Sequence, residues 1–270
     1  MQKYKAVFID IDGTLIKSDH TVSEFTIATI QKLKEKNVLV VLVSARPLSG
    51  IMPISEEVGL LNYPVASLNG AYILADGKVL FDSIIAVDTV IRIQEQLQKY
   101  HTTIICYEQF QWFSEFKNAA TEHEQKITSI PVTIQPFINT VQHWRNENTA
   151  PNKIHVIDSA AVINVIENDL KEQFTGHLSI ATSQPRFLEV MNIESSKLNA
   201  LKLLISHYNI KQEETIAIGD NFNDKEMIQF AGTGIAMGNA PAEVKAVANY
   251  VTDTNNNDGV AKALKRFMDL

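Results

Sequence analysis

The sequence predicts an α/β protein with a parallel sheet, interrupted by an inserted α+β unit. Three observations predict this. Short, wholly apolar runs alternate with helical patterns in the first and last thirds of the chain. Acidic or hydroxyl residues follow several of those runs. Between about Ile84 and Arg186 the alternation gives way to short strands with aromatics and prolines between them.

Taken in order, Ala6-Val7-Phe8-Ile9 reads as a strand buried on both faces. Ser23 can cap a helix running to about Lys36, with Ile27, Ile30 and Leu33 on one side. Val38 to Val43 is a second buried strand, and a third lies around Val65 to Leu68, so the crossovers are right-handed. Asp76-Gly77 joins two apolar runs as a hairpin turn. The middle shows helical patterns at Val87–Tyr100 and Ala160–Phe174 and strands at Thr103–Tyr107, Ile154–Ile157 and Leu178–Ala181. Alternation then resumes. A helix spans about Lys197 to Tyr208, followed by strand Thr215–Ile218, a helix near Asp224–Ala231 and strand Thr233–Met237. Helix Ala242–Ala248, strand Tyr250-Val251-Thr252 and a helix from Gly259 complete the chain.

Composition narrows the function. A length of 270 residues suits one large domain or two smaller ones, and 45% hydrophobic with 20% charged residues is ordinary for a folded chain. Lys and Arg total 24 against 31 Asp and Glu, a net charge of −7 that argues against a nucleic-acid partner. A local site can still oppose that sign, so small phosphorylated molecules stay open as ligands. The single Cys106 excludes an internal disulfide and a zinc site built from several thiolates. The longest apolar run, Val38 to Val43, falls far short of the ~20 residues that span a bilayer. The segment ahead of Asp10 has no signal-type apolar stretch. The expectation is a soluble, cytoplasmic protein without a membrane partner.

Three strand ends carry chemistry. Asp10 and Asp12 follow the first strand, Ser44 the second and Asp220 the strand Thr215–Ile218, and in open parallel sheets ligands bind beyond the carboxyl ends of the strands. In Asp10-Ile11-Asp12-Gly13-Thr14-Leu15, a spacing of two puts both carboxyl groups on one side of an extended chain. Two close carboxylates do not both ionise cheaply, so one can stay protonated as an acid; the same residues also suit a plain strand end and turn. Gly219-Asp220-Asn221-Phe222-Asn223-Asp224 brings further carboxylates to a matching strand end, or is a solvated turn and helix cap. With Asp10, Asp220 and Asp224 collected, a phosphate would meet repulsion of about 4 kcal/mol per unit pair at 4 Å. A cation is then required, and oxygen ligands with few carboxylates suit Mg²⁺. Lys197 follows Ser195-Ser196 in the first turn of a helix, where the macrodipole disfavours it by ~0.3–1 kcal/mol. Its ammonium either has work elsewhere or sits in water. Ser44 either hydrogen-bonds a phosphate oxygen or ends a strand, and Arg46 offers a second cation. No paired metal-ligand spacing is found among the histidines, and His155 reads as a hydrogen-bonded structural residue of a strand.

This combination resembles the haloacid dehalogenase (HAD) superfamily of phosphatases, and within it the Cof-type hydrolases. The resemblance covers nearly the whole chain and rests on Asp10 to Leu15, Ser44, Lys197 and Gly219-Asp220…Asn223-Asp224 in that order. Asn69-Gly70-Ala71, Met237-Gly238-Asn239-Ala240 with Glu243-Val244-Lys245, and Asn255…Asp258-Gly259-Val260 support it. It implies a Rossmann-like core over residues 1–83 and 187–270 and an inserted α/β cap over 84–186. It implies an Mg²⁺-dependent phosphatase acting on sugar phosphates or phosphorylated cofactors. Asp10 would be the nucleophile that forms an aspartyl-phosphate and Asp12 the general acid and base. Mg²⁺ would be held by Asp10, the Asp12 main-chain carbonyl and Asp220, with Asp224 or Asn223 supporting. Ser44, Ala45, Lys197 and Asn223 would bind the phosphoryl group. Arg46, Asn69, Gly70 and, from the cap, Lys153 and Arg186 are the residues to which specificity would fall, unless the last two are ordinary surface charge. Two segments depart from the family's usual pattern: Ser44-Ala45-Arg46 stands where Thr-Gly-Arg is common, and Leu198 follows Lys197 where Gly is frequent. A sugar-phosphate mutase of the same superfamily, or a phosphorylatable signalling module, would use the same residue types.

Overall fold

The computed structural model describes residues 3–128 and 130–270, and the side chain of Ile127 also lies outside the description. The first two residues of the N-terminal segment read above are therefore not covered. The chain runs through β1 (Ala6–Ile9), α1 (Glu24–Glu35), β2 (Leu39–Val43), α2 (Leu48–Glu57), β3 (Val65–Ser67), β4 (Tyr72–Ala75) and β5 (Lys78–Asp82). It continues with α3 (Val87–Leu97), β6 (Thr103–Glu108), β7 (Gln111–Ser114), α4 (Ala119–Thr128), β8 (Thr133–Ile134), α5 (Phe137–Glu147), β9 (Lys153–Ile157), α6 (Ala160–Gln173), β10 (Leu178–Gln184) and β11 (Phe187–Asn192). It closes with α7 (Lys197–His207), β12 (Thr215–Gly219), α8 (Lys225–Phe230), β13 (Thr233–Ala236), α9 (Ala242–Lys245), β14 (Tyr250–Val251) and α10 (Gly259–Phe267).

Among the described residues, one sheet has the strand order β14-β13-β12-β1-β2-β3-β4-β5. It is parallel from β14 to β3, where the antiparallel pairing of β3 with β4 ends the run. Every residue of β1 and β12 is buried, as continuous apolar runs covered on both faces require. Helix α1 begins where the sequence places it, with the Ser23 side chain accepting from the N–H of Thr26 at 3.1 Å. The hairpin turn is the expected Asp76-Gly77, with φ of 53° and 72° at the two residues.

The second sheet has the order β10-β11-β9-β6-β7-β8, antiparallel except for the β7–β8 pair. Alternation along its strands sends Ile154, Val156, Leu188 and Val190 to a core shared with Val90, Ile93 and Leu97 of α3, Trp144 of α5 and Ile163, Ile166 and Leu170 of α6. Strands β7, β8 and β11 and helices α4 and α5 have no counterpart in the sequence expectation. Outside β11 their apolar residues are few and mixed with aromatics, which blurs the periodicity.

The chain forms two compact units, and their bounds correct the expected ones. One unit comprises the chain up to Ala45 together with Ile51–Leu80 and Ser196–Leu270; the other comprises Arg46–Gly50 and Phe81–Ser195. The expected return to the core at residue 187 falls too early, because Phe187–Asn192 is β11, paired antiparallel with β9 and β10. An apolar strand carries no mark of which sheet it joins, and only the pairing decides. Among the described residues no helix is long and apolar enough to cross a membrane.

Trp144 tests the inserted unit's core. Its ring is fully buried edge-on to Phe113 and Phe137, and its Nε1–H donates to the buried Glu108 carboxylate at 2.9 Å. Trp144→Phe keeps an aromatic ring but removes one of Glu108's donors, with an expected cost of about 1–3 kcal/mol. Trp144→Ala also opens a cavity, with an expected cost of about 3–5 kcal/mol. Urea unfolding followed by circular dichroism should rank the two in that order.

Candidate active site

Strands β12, β1 and β2 lie side by side and parallel, so their carboxyl ends share one edge. Pairing extends past β1: the Asp10 N–H donates to the Ile218 carbonyl at 3.0 Å, which fixes the Asp10 backbone. The chain then turns at once, with the N–H groups of Thr14, Leu15 and Ile16 all returning to the Ile11 carbonyl. Gly13 takes φ +76°, and a Cβ there would stand 2.3 Å from Asp220 Oδ2, so glycine permits both the turn and the approach of Asp220. Thr14 Oγ1 donates to Asp220 Oδ1 at 3.0 Å. Asp12 is exposed on this loop, bridged to Ile16.

Lys197 is the first residue of α7, whose Ser196 cap accepts from the N–H of Asn199 at 3.0 Å. The ammonium turns inward to Asp10 Oδ1 and Asp224 Oδ1, both at 2.6 Å, and is almost wholly buried. The unfavourable first-turn cation of the sequence thus has two carboxylate partners. Asp224, also fully buried, uses its other oxygen to accept the main-chain N–H groups of Asp220 and Asn221 at 3.0 and 2.9 Å. One carboxylate therefore ties the loop after β12 to the start of α7.

Ser44 continues β2. Its N–H donates to Ala66, its carbonyl accepts from Asn69 at 2.8 Å, and the residue is buried, with Ala45 half-buried beside it. Asn69, at φ 55°, accepts on its side-chain oxygen from Asn223 Nδ2 at 2.9 Å. Gly70 lies against the start of α7. A Cβ at Gly70 would lie 2.5 Å from the Ser196 carbonyl and 3.0 Å from the Ala200 methyl. The glycine lets α7 start close to the turn after β3, and so bears on where Lys197 stands.

The other expected specificity residues belong to the inserted unit. Arg46 donates to the Gly50 carbonyl at 3.4 Å within the inserted unit. Lys153 is buried at the start of β9, 3.5 Å from Glu189 Oε1 and 4.9 Å from the centroid of the Tyr107 ring. Arg186 is exposed in the turn between β10 and β11, donating to the Asp158 carbonyl at 3.2 Å. His155 corrects the expectation of a hydrogen-bonded residue: it is buried edge-on to Phe187, and neither ring nitrogen has a hydrogen-bond partner. Burial accordingly lowers its pKa, with Lys153 adding to the effect. Thr14 and Asn239 belong to the sequence motifs but have no role assigned there. Asn239 Nδ2 donates to the Gly13 carbonyl at 2.8 Å and to Asp220 Oδ2 at 3.2 Å. An Asn is common in turns, so its type alone gives no sign of this.

The electrostatics are those of a cation site. Burial, then Asp224, pushes the Asp10 carboxyl well above its usual range although Lys197 pulls the other way. Burial and Asp224 likewise raise Asp220 to about 6. Burial opposes the Lys197 charge, but Asp10 and Asp224 together hold its pKa above the ordinary lysine value. Asp10, Asp220 and Asp224 each offer an oxygen within 4.8 Å of the others. Three carboxylates against one ammonium leave a deficit that a divalent cation with oxygen ligands would fill. The donor set fits Mg²⁺.

Residues 7–264 match the haloacid dehalogenase-like hydrolase family. A Haemophilus influenzae protein named only as a phosphatase, with no substrate, is 37% identical over 97% of both chains. The 5-amino-6-(5-phospho-D-ribitylamino)uracil phosphatase YitU of Bacillus subtilis is 28% identical over 98% of this chain and 97% of its own. Among solved structures, a haloacid dehalogenase-like hydrolase from Bacteroides thetaiotaomicron superposes with a TM-score of 0.89 at 29% identity, covering 98% of this chain and all 100% of that one. A HAD subclass IIB sugar phosphatase gives 0.83 at 26% identity over 97% and 98% of the two chains. The chain belongs to the haloacid dehalogenase-like hydrolases, of the Cof type. It is an enzyme of their phosphatase class, with the Rossmann-like core and inserted α/β unit of that fold.

Two outcomes follow from the buried charges. Lys197→Met leaves Asp10 and Asp224 buried without their cation, and should cost about 3–5 kcal/mol in urea unfolding of metal-free protein. The Asp220 value of about 6 lies above the ordinary carboxylate value of about 3.9, so the folded state holds the extra proton. That contribution is complete below about pH 4 and is lost as pH rises through about 6. Relative to Asp220→Asn, metal-free wild type should therefore lose stability across that interval; a parallel pH profile for the two would contradict the assignment.

Proposed function

We propose that the protein is an Mg²⁺-dependent phosphatase of small phosphate monoesters, working through an aspartyl-phosphate on Asp10. The observation that carries this reading is the Lys197 ammonium held at 2.6 Å from both Asp10 and Asp224, with Asp220 alongside. Asp10 and Asp220, with the Asp12 main-chain carbonyl and Asp224 in support, would hold Mg²⁺, which supplies charge neutralisation for the phosphoryl group and for the clustered carboxylates. An Asp10 oxygen attacks phosphorus as the ester P–O bond breaks, and Asp12 gives its proton to the leaving oxygen. Asp12, now a carboxylate, takes a proton from the water that attacks phosphorus. The Asp10–P bond breaks and inorganic phosphate leaves. Lysine has three N–H donors, two of which the carboxylates use, so the third suits a phosphoryl oxygen. The Ser44 hydroxyl, the Ala45 main chain and the Asn223 amide are the further proposed phosphoryl contacts. Such preorganised donors are where phosphoryl-transfer enzymes gain most of their rate.

Sugar phosphates and phosphorylated cofactor-type metabolites are the proposed substrates. The ribitylaminouracil phosphatase and the sugar phosphatase among the relatives support that class. Asn69 and Gly70, with Arg46, Lys153 and Arg186 of the inserted unit, are the proposed selectivity residues.

Hydrolysis of p-nitrophenyl phosphate and of a panel of sugar and ribityl phosphates, with Mg²⁺ and with chelator, tests the reading. Turnover should need Mg²⁺, and Asp10→Asn should lower kcat by about 10³-fold or more. Turnover that survives Asp10→Asn would remove the nucleophile assignment. Intramolecular transfer of the phosphoryl group instead of phosphate release would favour a mutase.

A further inference from the structure

We propose that Asn239 is a positioning residue for the divalent cation: its amide sets the orientation of the Asp220 carboxylate and the register of the Asp12 loop together. The amide nitrogen has two hydrogens, and both are used, on the Gly13 carbonyl at 2.8 Å and on Asp220 Oδ2 at 3.2 Å. The amide oxygen accepts the Asn255 N–H at 3.1 Å. A flipped amide would face two acceptors with an oxygen and a donor with its NH₂, so the network admits one orientation. With Thr14 on Oδ1 and Asn239 on Oδ2, Asp220 cannot rotate without breaking a hydrogen bond.

The Asn255 turn secures the arrangement from the far end of the chain. Asn255 Nδ2 donates to the Ile16 carbonyl at 2.9 Å, the Ser18 N–H donates to Asn256 Oδ1 at 2.9 Å, and Asn256 Nδ2 donates to Ser18 Oγ at 3.0 Å. Gly13, Ile16 and Ser18 are thereby held from one side, and Asp12 lies at the start of that held loop. Asn239 is exposed, so its removal strands no buried polar group. Its loss should therefore loosen the metal site while sparing the fold. Partners that orient metal ligands in this way typically change affinity by about 10–100-fold when removed.

The consequence for catalysis rests on the phosphatase reading, but the test does not. Calorimetric titration of Mg²⁺ into the full chain compares wild type, Asn239→Ala and Lys245→Met. Lys245 ties the same turn through the Gly238 carbonyl at 2.7 Å, yet does not touch Asp220. We expect the Mg²⁺ Kd to rise about 10–100-fold in Asn239→Ala and to stay at the wild-type value in Lys245→Met. Tm in chelator should be nearly unchanged in both. At saturating Mg²⁺, kcat should fall for Asn239→Ala with KM for the ester little moved. A wild-type Kd in Asn239→Ala, or a weakening that Lys245→Met shares, overturns the proposal. If Asn239→Ala fails to fold, Asn239→Ser is read by the same criteria. Wild type that binds Mg²⁺ but hydrolyses no ester would defeat the phosphatase reading and leave this comparison decisive. Wild type that binds no Mg²⁺ would overturn the inference itself.

Discussion

A buried ammonium between two carboxylates organises the edge of the parallel sheet. Lys197 enters from the first turn of α7, Asp10 from the end of β1 and Asp224 from the loop after β12, at 2.6 Å each. None of the three could be buried alone, since an isolated charge in that surrounding costs several kcal/mol. Their mutual placement therefore constrains everything that positions them. The constraint reaches Gly70, where any side chain would meet the Ser196 carbonyl, and Gly13, where one would meet Asp220. It also gives Asp224 its second task, because the oxygen not facing Lys197 accepts the two N–H groups that shape the Asp220 loop.

The balance of charge follows from the same contact. The ammonium meets two of the three carboxylates, and burial together with Asp224 holds Asp10 and Asp220 above their usual range. A site left short of positive charge, with acidic oxygens close together and main-chain donors aimed at their rear, is suited to a divalent cation and a phosphoryl group together. The parallel sheet supplies the rigidity, because β12, β1 and β2 are paired residue by residue up to Ile218, Ile9 and Leu42, just short of Asp220, Asp10 and Ser44.

The inserted unit obeys a different logic. Its sheet is mostly antiparallel and buries an apolar face against α3, α5 and α6, while Lys153, His155 and Glu189 lie on strand positions that alternate with that face. Lys153 is offset by Glu189 and the Tyr107 ring, whereas His155 keeps both ring nitrogens without a hydrogen-bond partner. Buried polar groups of this kind are uncommon in stable folds and mark places where packing alone does not account for the residue.

Much of this was legible in the sequence. Apolar runs of the right length marked the strands of the parallel sheet, Ser23 and the Ser195-Ser196 pair marked helix starts, and Asp76-Gly77 marked a hairpin, because each depends on local geometry and burial. The misplaced cation at Lys197 was readable as a violation of the helix dipole. Other features depended on contacts distant in sequence. Whether Phe187–Asn192 joined one sheet or the other depended on pairing with β9 and β10, which an apolar strand does not encode by itself. The joining of Asn69 to Asn223 and of Asn239 to Gly13 and Asp220 spans 154, 226 and 19 residues. Local propensity determined the elements and the kinds of residue at their ends. Tertiary structure decided which of those ends meet, because a hydrogen bond between distant residues exists only once the sheet has set their distance.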